Sequence, residues 1–408
     1  MKRKQEAANS EMRILVVCQY YYPEPFRHPD ICEELVKQGG HEVTVVTGLP
    51  NYPMGEIYDG YRKGEKRDET VNGVTVHRCF TIGRKHNVIY RFLNYYSYAF
   101  SSVSYVKKLA GDYDVVLVHQ LSPVMMAYAA IRYKKKHGVP VVLYCLDLWP
   151  ESLVAGGIAR GSALYKIFHR ISEKIYRQAD QILVSSRSFV SYFEREFRMA
   201  GIEYLPQYAE TIFTPEQCRK VENGCIDLMF AGNLGTAQSV GTIIEAARLT
   251  AGIPNLRWHI VGDGAELERL RAMAAGMDQV IFHGRKPLEE MPNYYAMADA
   301  MLVTMQKDPV LSLTLPGKVQ TYMAAGKPIL GAIDGETAQA VEAAGCGVCS
   351  GAEDADALAE NVRRFIGMDR RMLGQNARAY YDKHFEKQMF LDRLERFLTR
   401  CAASGGSI

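Results

Sequence analysis

The stretch IDLMFAGNLG (226–235) carries the plainest strand, turn and helix signal in the chain. Its apolar start, Ile226–Phe230, has the length and composition of a buried strand, and its glycines indicate a turn before an amphipathic helix over Ser239–Leu249. The same order returns at WHIVGDG (258–264), which precedes a helical pattern over Glu266–Ala275. Apolar strands that alternate with helices are typical of a parallel sheet covered on both faces. This part of the chain therefore predicts a doubly wound α/β domain.

The residues before this stretch show the same alternation. The pattern predicts a first strand over Arg13–Cys18, a second over Glu42–Thr47, and further strands and helices as far as a helix over Ser188–Phe197. The layout restarts after Leu205–Pro206, which predicts a domain boundary there. The predicted organisation is a disordered lead-in at 1–11, an N-terminal domain at 12–205, a C-terminal domain at 206–383 and a final helix at 384–402 that packs back on the N-terminal domain.

The composition excludes several classes of protein. With 408 residues, 48% of them hydrophobic and 23% charged, the chain is long enough for two globular domains and too apolar for a disordered protein. The net charge of +3 is too small to indicate nucleic-acid binding. The sequence contains no apolar run of about 18 residues, so no membrane-spanning helix is predicted. The nine scattered cysteines indicate a reducing, cytoplasmic compartment, and Cys346 and Cys349 lack the second pair that a zinc site needs. The first strand runs into QYYYPEPF (19–26) and not into the G-x-G-x-x-G of a dinucleotide-binding dehydrogenase.

Glycines stand at the carboxyl ends of three predicted strands of the C-terminal domain. They are Gly232, the pair Gly262 and Gly264, and Gly284. Ligands of open parallel sheets bind outside these ends, and residues without a side chain let a charged ligand approach the backbone. The helix N-termini that follow offer free N–H groups to a diphosphate. The pattern predicts a nucleotide pocket, although turns also need glycine.

The order of motifs resembles that of the family-4 glycosyltransferases. In the C-terminal half the shared strings are GNLG (232–235), HIVGDG (259–264), IFHGR (281–285), EEMPNYYAMADAMLV (289–303) and LPGKVQTYMAAGKPI (315–329). In the N-terminal half QYYYPEP (19–25), GHEVTVVTGLPNYPMG (40–55) and DLWPES (147–152) resemble the bacterial surface-polysaccharide branch of that family. The resemblance runs from about Arg13 to Leu398. It implies the α/β GT-B fold, in which two Rossmann-like doubly wound domains enclose a cleft, and a retaining transferase that uses a nucleoside-diphosphate sugar, often UDP-linked, without a metal or other cofactor.

The resemblance assigns the sugar donor to loops of the C-terminal domain. The positions expected to contact it are Gly232, Asn233, Gly262, Asp263, Gly264, Gly284, Arg285, Pro316, Gly317, Lys318 and Thr321. The first loop is expected to approach the diphosphate and the next two to hold the base. The loop that opens the helix at Pro316–Lys318 is expected to hold ribose and phosphate, with Lys318 supplying positive charge. For Arg285 a solvated turn residue is the alternative.

The sequence departs from the family at four of its usual charged positions. Leu313 and Thr321 stand where the family usually has two glutamates, so that Thr321 can offer the ribose only one weaker hydrogen bond. Asn233 and Gln238 stand at the spacing of the usual arginine and lysine. Helix N-termini and Lys318 are therefore expected to balance most of the diphosphate charge.

Three polar residues of the N-terminal domain are the predicted catalytic residues, Asp147, His119 and Glu24. Asp147 follows an apolar strand and is expected to orient or polarise the acceptor hydroxyl. The resemblance places His119 and the segment Pro23–His28, which contains Glu24, on the acceptor side of the cleft. A helix cap for Asp147, a satisfied structural histidine for His119 and a turn residue for Glu24 are the open alternatives.

The segment Arg84–Lys108 is a separate signal, because basic and aromatic residues alternate in it and acidic residues are absent. Its basic residues are Arg84, Lys85, Arg91, Lys107 and Lys108. A basic, aromatic helix can lie in the interface of an anionic membrane. The alternative is an ordinary core-facing helix with a hydrated basic side.

Together these signals predict transfer of a sugar from a nucleoside-diphosphate sugar to a lipid-linked oligosaccharide acceptor in cell-surface polysaccharide synthesis. The protein is expected to be cytoplasmic and peripheral on the inner face of the cell membrane, with no nucleic-acid partner. Two other functions stay open, a non-hydrolysing UDP-sugar epimerase and an inactive GT-B scaffold protein. An epimerase would turn over its donor without an acceptor, and a scaffold would not turn it over at all.

Overall fold

The computed structural model describes residues 11–85, 88–155 and 157–405. These residues form two compact units with the main break between Leu205 and Pro206. The first unit contains the described residues up to Ser185, Phe189–Leu205 and the chain from Leu391 onward, and the second contains Ser186–Ser188 and Pro206–Phe390. Apart from residue 11, the expected lead-in lies outside the described residues.

The first unit is built on an eight-stranded sheet. Its strands are β1 Arg13–Val17, β2 Glu42–Gly48, β3 Asp68–Val71, β4 Val74–Cys79, β5 Val115–Gln120, β6 Val141–Cys145, β7 Gln181–Val184 and β8 Glu203–Tyr204. They lie in the order β3-β4-β2-β1-β5-β6-β7-β8, and all neighbours are parallel except the edge pair β3 and β4. β1 pairs with both β2 and β5, so the strand order reverses at β1. Doubly wound sheets bind their ligands beside such a reversal.

The helices of the first unit follow the predicted alternation. They are α1 His28–Lys37, α2 Val88–Val106, α3 Tyr128–His137, α4 Glu151–Ala155, α5 Ala163–Tyr176 and α6 Arg187–Phe197, whose first two residues belong to the second unit. Local chemistry sets their ends: the Ser162 hydroxyl accepts a hydrogen bond from the Tyr165 N–H at the start of α5, and Gly138 ends α3 in the left-handed conformation. Within the described part of the chain, no helix is both long and apolar enough to cross a membrane.

The second unit is built on a six-stranded parallel sheet. Its strands are β9 Ile226–Ala231, β10 Leu256–Val261, β11 Val280–Gly284, β12 Ala300–Thr304, β13 Ile329–Ala332 and β14 Gly347–Ser350, in the order β11-β10-β9-β12-β13-β14. Its helices are α7 Gly241–Leu249, α8 Leu267–Met273, α9 Met291–Met297, α10 Gly317–Ala324, α11 Glu336–Ala344, α12 Ala355–Ile366 and α13 Arg370–His384, and α14 Lys387–Gly405 begins in this unit. The doubly wound prediction is confirmed for both sheets.

The elements α13 and β14 were not predicted from the sequence. β14 starts at Gly347, where a Cβ would lie 1.8 Å from the Ile329 carbonyl oxygen, so close backbone packing leaves this strand with a short apolar run. α13 buries Leu373, Ala377 and Tyr381, which are four residues apart, together with Gly374. This spacing is a helical signal that the sequence does contain.

Candidate functional site

The glycine loops of the second unit pack directly on one another. The Gly232 N–H donates to the Val261 carbonyl at 2.9 Å, and the Gly262 N–H donates to the Gly284 carbonyl at 2.9 Å. Gly262 has φ +145°, and a Cβ there would lie 1.8 Å from the Gly232 carbonyl oxygen. Gly262 is therefore required by contact between neighbouring loops, a cause that the sequence pattern did not distinguish from ligand approach.

The other glycines have different causes. A Cβ on Gly264 would lie 2.5 Å from the Leu234 carbonyl oxygen, so this glycine is also a loop-packing residue. Gly284 has φ +69° with open space around its Cβ position, which is a requirement of turn geometry alone. Asp263 is exposed and its Oδ1 accepts from the Gly264 N–H at 2.7 Å, and Arg285 is exposed.

Gly232 differs from these other glycines because a charged side chain, Lys318, lies beside it. A Cβ on Gly232 would lie 2.7 Å from the Lys318 Nζ, so the glycine makes room for an ammonium group. Lys318 follows Pro316 and Gly317 at the start of α10, and its Nζ lies 3.9 Å from the centre of the Phe230 ring. This Nζ is buried and has no hydrogen-bond partner within the described residues. Burial lowers the pKa of Lys318 to about 7.

An unpartnered, buried ammonium is costly unless an anion joins it. It stands here beside the first turn of a helix, where backbone N–H groups are also free to bind negative charge. The arrangement is therefore chemically suited to a phosphate group.

The positions that depart from the family pattern are occupied by internal contacts. The Thr321 hydroxyl donates to the Gly317 carbonyl at 3.1 Å inside α10. Leu313 lies in a short 3-10 turn. The Asn233 amide donates to the Gln238 Oε1 at 3.3 Å, so this pair adds no charge to the loop. Among these positions and their neighbours in α10, Lys318 is the residue that supplies positive charge.

A chain of polar side chains crosses the three strands β9, β10 and β11, and the sequence analysis gave Asp227 no role. The His283 Nε2 lies 2.9 Å from the His259 Nδ1, and the His259 Nε2 lies 2.9 Å from the Asp227 Oδ1. Burial alone would raise the pKa of Asp227, but hydrogen bonds from His259, Arg257 and Lys220 hold it well below its usual range. Burial and the neighbouring His259 lower the pKa of His283 to about 4.

Since Asp227 is ionised, the His259 Nε2 carries a proton and donates to it, and the other ring nitrogen of His259 faces His283. His283 is thus held neutral with its ring fixed at the carboxyl end of β11. Asp227 on β9 and His259 on β10 each lie between two apolar residues, and these strands pair with each other. Polar residues inside two apolar strands are the sequence signal that could have indicated this chain.

The first unit contains a cavity of about 340 Å³. Its wall consists largely of aromatic and polar side chains, Tyr20, Phe26, Tyr52, Arg84, Arg91, Phe92, Tyr95, Leu121, Ser122, Asp147, Trp149, Ser152 and Leu153. Asp147 follows β6, and its carboxylate accepts a hydrogen bond from Ser122, whose hydroxyl lies 2.7 Å from that of Ser152. Burial raises the pKa of Asp147, and the Ser122 hydrogen bond opposes that effect. The predicted acid thus lies in the wall of a ligand-sized cavity.

Glu24 is buried close to this cavity but does not line it. Its carboxylate accepts from the backbone N–H groups of Tyr21, Asn51 and Tyr52 at 3.1, 2.8 and 2.7 Å. Burial raises its pKa to about 7, against the lowering effect of these three donors. Glu24 therefore braces the loop that carries the aromatic Tyr52, and its predicted catalytic role stays a prediction.

His119 is fully buried in β5 beside His28, with ring centres 4.6 Å apart. Neither nitrogen of either ring has a hydrogen-bond partner within the described residues. Burial lowers the pKa of His119 to about 3, so the ring is neutral. The alternative of a satisfied structural histidine is therefore wrong in one respect, because the ring is buried but not satisfied.

No group of three or more His, Cys, Asp or Glu side chains in the described ranges is arranged to hold a metal ion. Two sets of charged side chains are candidates for contact with a ligand, Lys318 in the second unit and Asp147, Arg84 and Arg91 in the first. Each set is placed by loops or helices next to the carboxyl ends of parallel strands, where this class of sheet binds ligands.

Comparison with known proteins gives matches over both units. Residues 28–206 match the model described as "Glycosyl transferase 4-like domain", and residues 219–380 match "Glycosyl transferases group 1". The putative colanic acid biosynthesis glycosyl transferase WcaI of Escherichia coli is 25% identical over 93% of this chain and 98% of its own length. The probable glycosyltransferase WbjE of Pseudomonas aeruginosa is 26% identical over 66% of this chain and 70% of its own.

Solved structures share the fold at low sequence identity. Sucrose-phosphate synthase from Thermosynechococcus elongatus matches with a TM-score of 0.75 and 15% identity, over 96% of this chain and 100% of its own. Anabaena Alr3699/HepE in complex with UDP and glucose matches with a TM-score of 0.69 and 14% identity, over 95% of this chain and 100% of its own. Sequence identity at this level carries the fold and not the ligand.

Proposed function

Because the chain belongs to the family-4 glycosyltransferases of the GT-B fold, we propose that it transfers a sugar from a UDP-sugar to a lipid-linked sugar acceptor with retention of configuration. The proposed setting is the synthesis of a cell-surface polysaccharide such as capsule or O-antigen. It is supported by the relative from Escherichia coli, whose name refers to colanic acid biosynthesis. The UDP donor is part of this proposal, and HepE, which shares the fold, has been solved with UDP and glucose.

The observation that carries the donor assignment is the buried ammonium of Lys318. It has no partner in the described part of the chain, it touches the space kept open by Gly232, and it stands at the first turn of α10. A diphosphate placed there would receive one full charge and the helix N–H groups together. The loop between Gly262 and Gly264 and the fixed, neutral His283 would then face the nucleoside.

The proposed chemistry needs no metal ion. Charge that develops on the departing diphosphate is stabilised by Lys318 and by the N-terminus of α10. In a retaining transfer on one face of the sugar, the acceptor hydroxyl gives its proton to a donor phosphate oxygen while the new glycosidic bond forms. Asp147, held by Ser122, orients that hydroxyl.

The proposed location is the inner face of the cell membrane. α2 carries exposed apolar residues at Ile89, Leu93 and Phe100, which share one face of the helix. α5 adds the exposed Leu164 and Ile167. These side chains would enter the headgroup region, and the exposed Lys107 and Lys108 at the end of α2 would face anionic lipid.

The membrane prediction for Arg84–Lys108 changes in one respect. Arg84 and Arg91 line the cavity, so they are not available as a basic membrane face. The proposed attachment therefore depends on the apolar face of α2 more than on the number of its basic residues.

The direct test is product analysis with the purified full-length protein. A panel of UDP- and GDP-sugars is incubated with a lipid-diphosphate sugar, with and without EDTA, and products are examined by mass spectrometry and by NMR of the anomeric centre. We expect one UDP-sugar to be transferred with its anomeric configuration retained, at a rate that EDTA does not change. Donor turnover without an acceptor would indicate an epimerase, and turnover of no donor would indicate a scaffold. Inverted configuration would contradict the retaining mechanism.

A further inference from the structure

The first-unit cavity contains two arginines that have no anionic partner. Arg84 and Arg91 both line it, and neither forms a salt bridge with any of the described residues. The Arg84 guanidinium lies 5.9 Å from the centre of the Tyr95 ring. The single carboxylate in the cavity wall is Asp147, which is occupied by Ser122. The wall therefore has an excess of positive charge, which favours an anionic ligand.

The remaining wall is aromatic and has an unused hydrogen-bond donor. Tyr20, Phe26 and Tyr52 form one cluster with ring centres 5.2 to 6.0 Å apart. Phe92, Tyr95 and Trp149 form a second, with neighbouring centres 6.3 to 6.4 Å apart. The Trp149 Nε1 is buried without a hydrogen-bond partner in the described residues, and the buried Tyr20 hydroxyl lies beside the Arg84 side chain. An unpaired buried donor is costly and is expected to find an acceptor oxygen in a ligand.

The volume limits how far the two ends of the ligand can be from each other. At about 340 Å³ the cavity lies at the lower end of the roughly 300–1,000 Å³ that small-molecule sites occupy. A group held by the arginines and a hydroxyl held at Asp147 must therefore belong to adjacent parts of one molecule. Guanidinium groups recognise phosphate through paired N–H donors.

We infer that this cavity binds the phosphate of the acceptor through Arg84 and Arg91, and that the accepting sugar is joined directly to that phosphate. The inference rests on the proposed function and specifies its acceptor. Such an acceptor is a lipid diphosphate that carries a single sugar, so the protein acts early in chain assembly and not on a long oligosaccharide. The aromatic clusters contact the faces of the sugar and the first part of the lipid.

The test measures binding and needs no turnover, so it is independent of the donor assignment. Geranyl diphosphate and the uncharged geraniol are titrated into the full-length protein by isothermal calorimetry. We expect the diphosphate to bind and the alcohol to bind at least about 10-fold more weakly, because hydrogen bonds to charged groups are the strong ones. Arg84→Gln and Arg91→Gln should each weaken diphosphate binding by roughly 10- to 100-fold, and Arg91→Lys by less.

Two matched variants decide where the diphosphate binds. Arg195→Gln removes an exposed arginine of the same unit, paired with Glu196, and should leave binding unchanged. Weaker binding in Lys318→Gln instead of in the two cavity variants would place the diphosphate in the second unit and overturn the inference. Equal affinity for diphosphate and alcohol would also overturn it, and thermal melting of each variant identifies loss of binding that is due to unfolding.

Discussion

Lys318 has an environment that differs strongly from that of an ordinary surface lysine. Its pKa is lowered to about 7 because the ammonium is buried without a partner. A bound phosphate favours the charged form, so binding raises this pKa and takes up a proton where the free side chain is neutral. UDP affinity should consequently fall as the pH rises through the pKa of the free protein.

We expect Lys318→Gln to bind UDP roughly 10- to 100-fold more weakly at about pH 6. The ratio of wild-type to variant affinity should shrink as the pH rises to about 8.5. Calorimetric titration at several pH values gives this ratio, in which the titration of UDP itself cancels. A ratio that does not change with pH, or a variant that binds as tightly as the wild type, would contradict the assignment of Lys318 to the diphosphate.

Asp147 gives the second prediction at the scale of single residues. Its carboxylate accepts from Ser122 and lines the cavity, and it contributes little apolar packing. Asp147→Asn should melt at the wild-type temperature and lose roughly 10²-fold or more in turnover, the usual effect of removing a positioned acid or base. The control is Ser122→Ala, which removes the partner and should have a smaller effect in the same direction. Unchanged turnover in Asp147→Asn would exclude a role at the acceptor hydroxyl.

The DLWPES string shows how one motif divides among roles. Asp147 and Trp149 line the cavity, and Ser152 supports Ser122. Glu151 is fully buried and accepts hydrogen bonds from the hydroxyls of Tyr165 and Tyr192 at 2.9 and 2.8 Å. The motif therefore combines ligand-facing residues with a residue that fastens α4 to α5 and α6.

At the scale of elements, α2 has two sides. The inward side contributes Arg91 and Tyr95 to the cavity and, further along the helix, Tyr98 and Ala99 to the core. The outward side is exposed and apolar, with Ile89, Leu93 and Phe100 at 71%, 43% and 63% of full exposure. An exposed apolar face at helical spacing indicates a surface that meets another apolar phase.

We expect a variant with Ile89, Leu93 and Phe100 all changed to Ser to lose most of its binding to anionic liposomes at about 0.5 M salt. This concentration is well above about 0.1 M, where screening of charges is already strong. The reason is that apolar burial does not depend on salt, whereas the attraction of lysines to lipid does. Sedimentation at low and high salt measures both parts.

The matched control changes three exposed apolar residues of the second unit, Val221, Leu249 and Met372, to Ser. This control should pellet like the wild type. Equal pelleting of the two triple variants would show that α2 does not contact the membrane.

At the scale of the whole molecule, the loops of the two sheets differ in their side-chain chemistry. The second unit presents glycine loops and a helix N-terminus with a single ammonium. The first presents aromatic rings, two arginines and a carboxylate around a cavity. A diphosphate is recognised by backbone and charge, and a sugar by side-chain shape and hydrogen bonds. Each unit thus has the chemistry for one of the two proposed substrates.

The sequence alone determined the elements and the family. Alternating apolar strands and amphipathic helices depend on local periodicity, so the predicted strand Glu42–Thr47 and the predicted helix Ser188–Phe197 agree with β2 and α6 to within one residue. Ordered strings such as HIVGDG (259–264) identified the fold. The strand β14 was missed because Gly347 packs backbone against backbone and leaves only a short apolar run.

Only the tertiary structure decided which polar groups have partners. Glu24 accepts from the N–H of Asn51, 27 positions away in the chain, while the Lys318 ammonium has no hydrogen-bond partner within the described residues. The tertiary structure also places Arg84 and Arg91 in the wall of the cavity, although their sequence pattern indicated a membrane face. Hydrogen bonds and salt bridges depend on which distant segments come together when the core packs, and local periodicity contains no information about that.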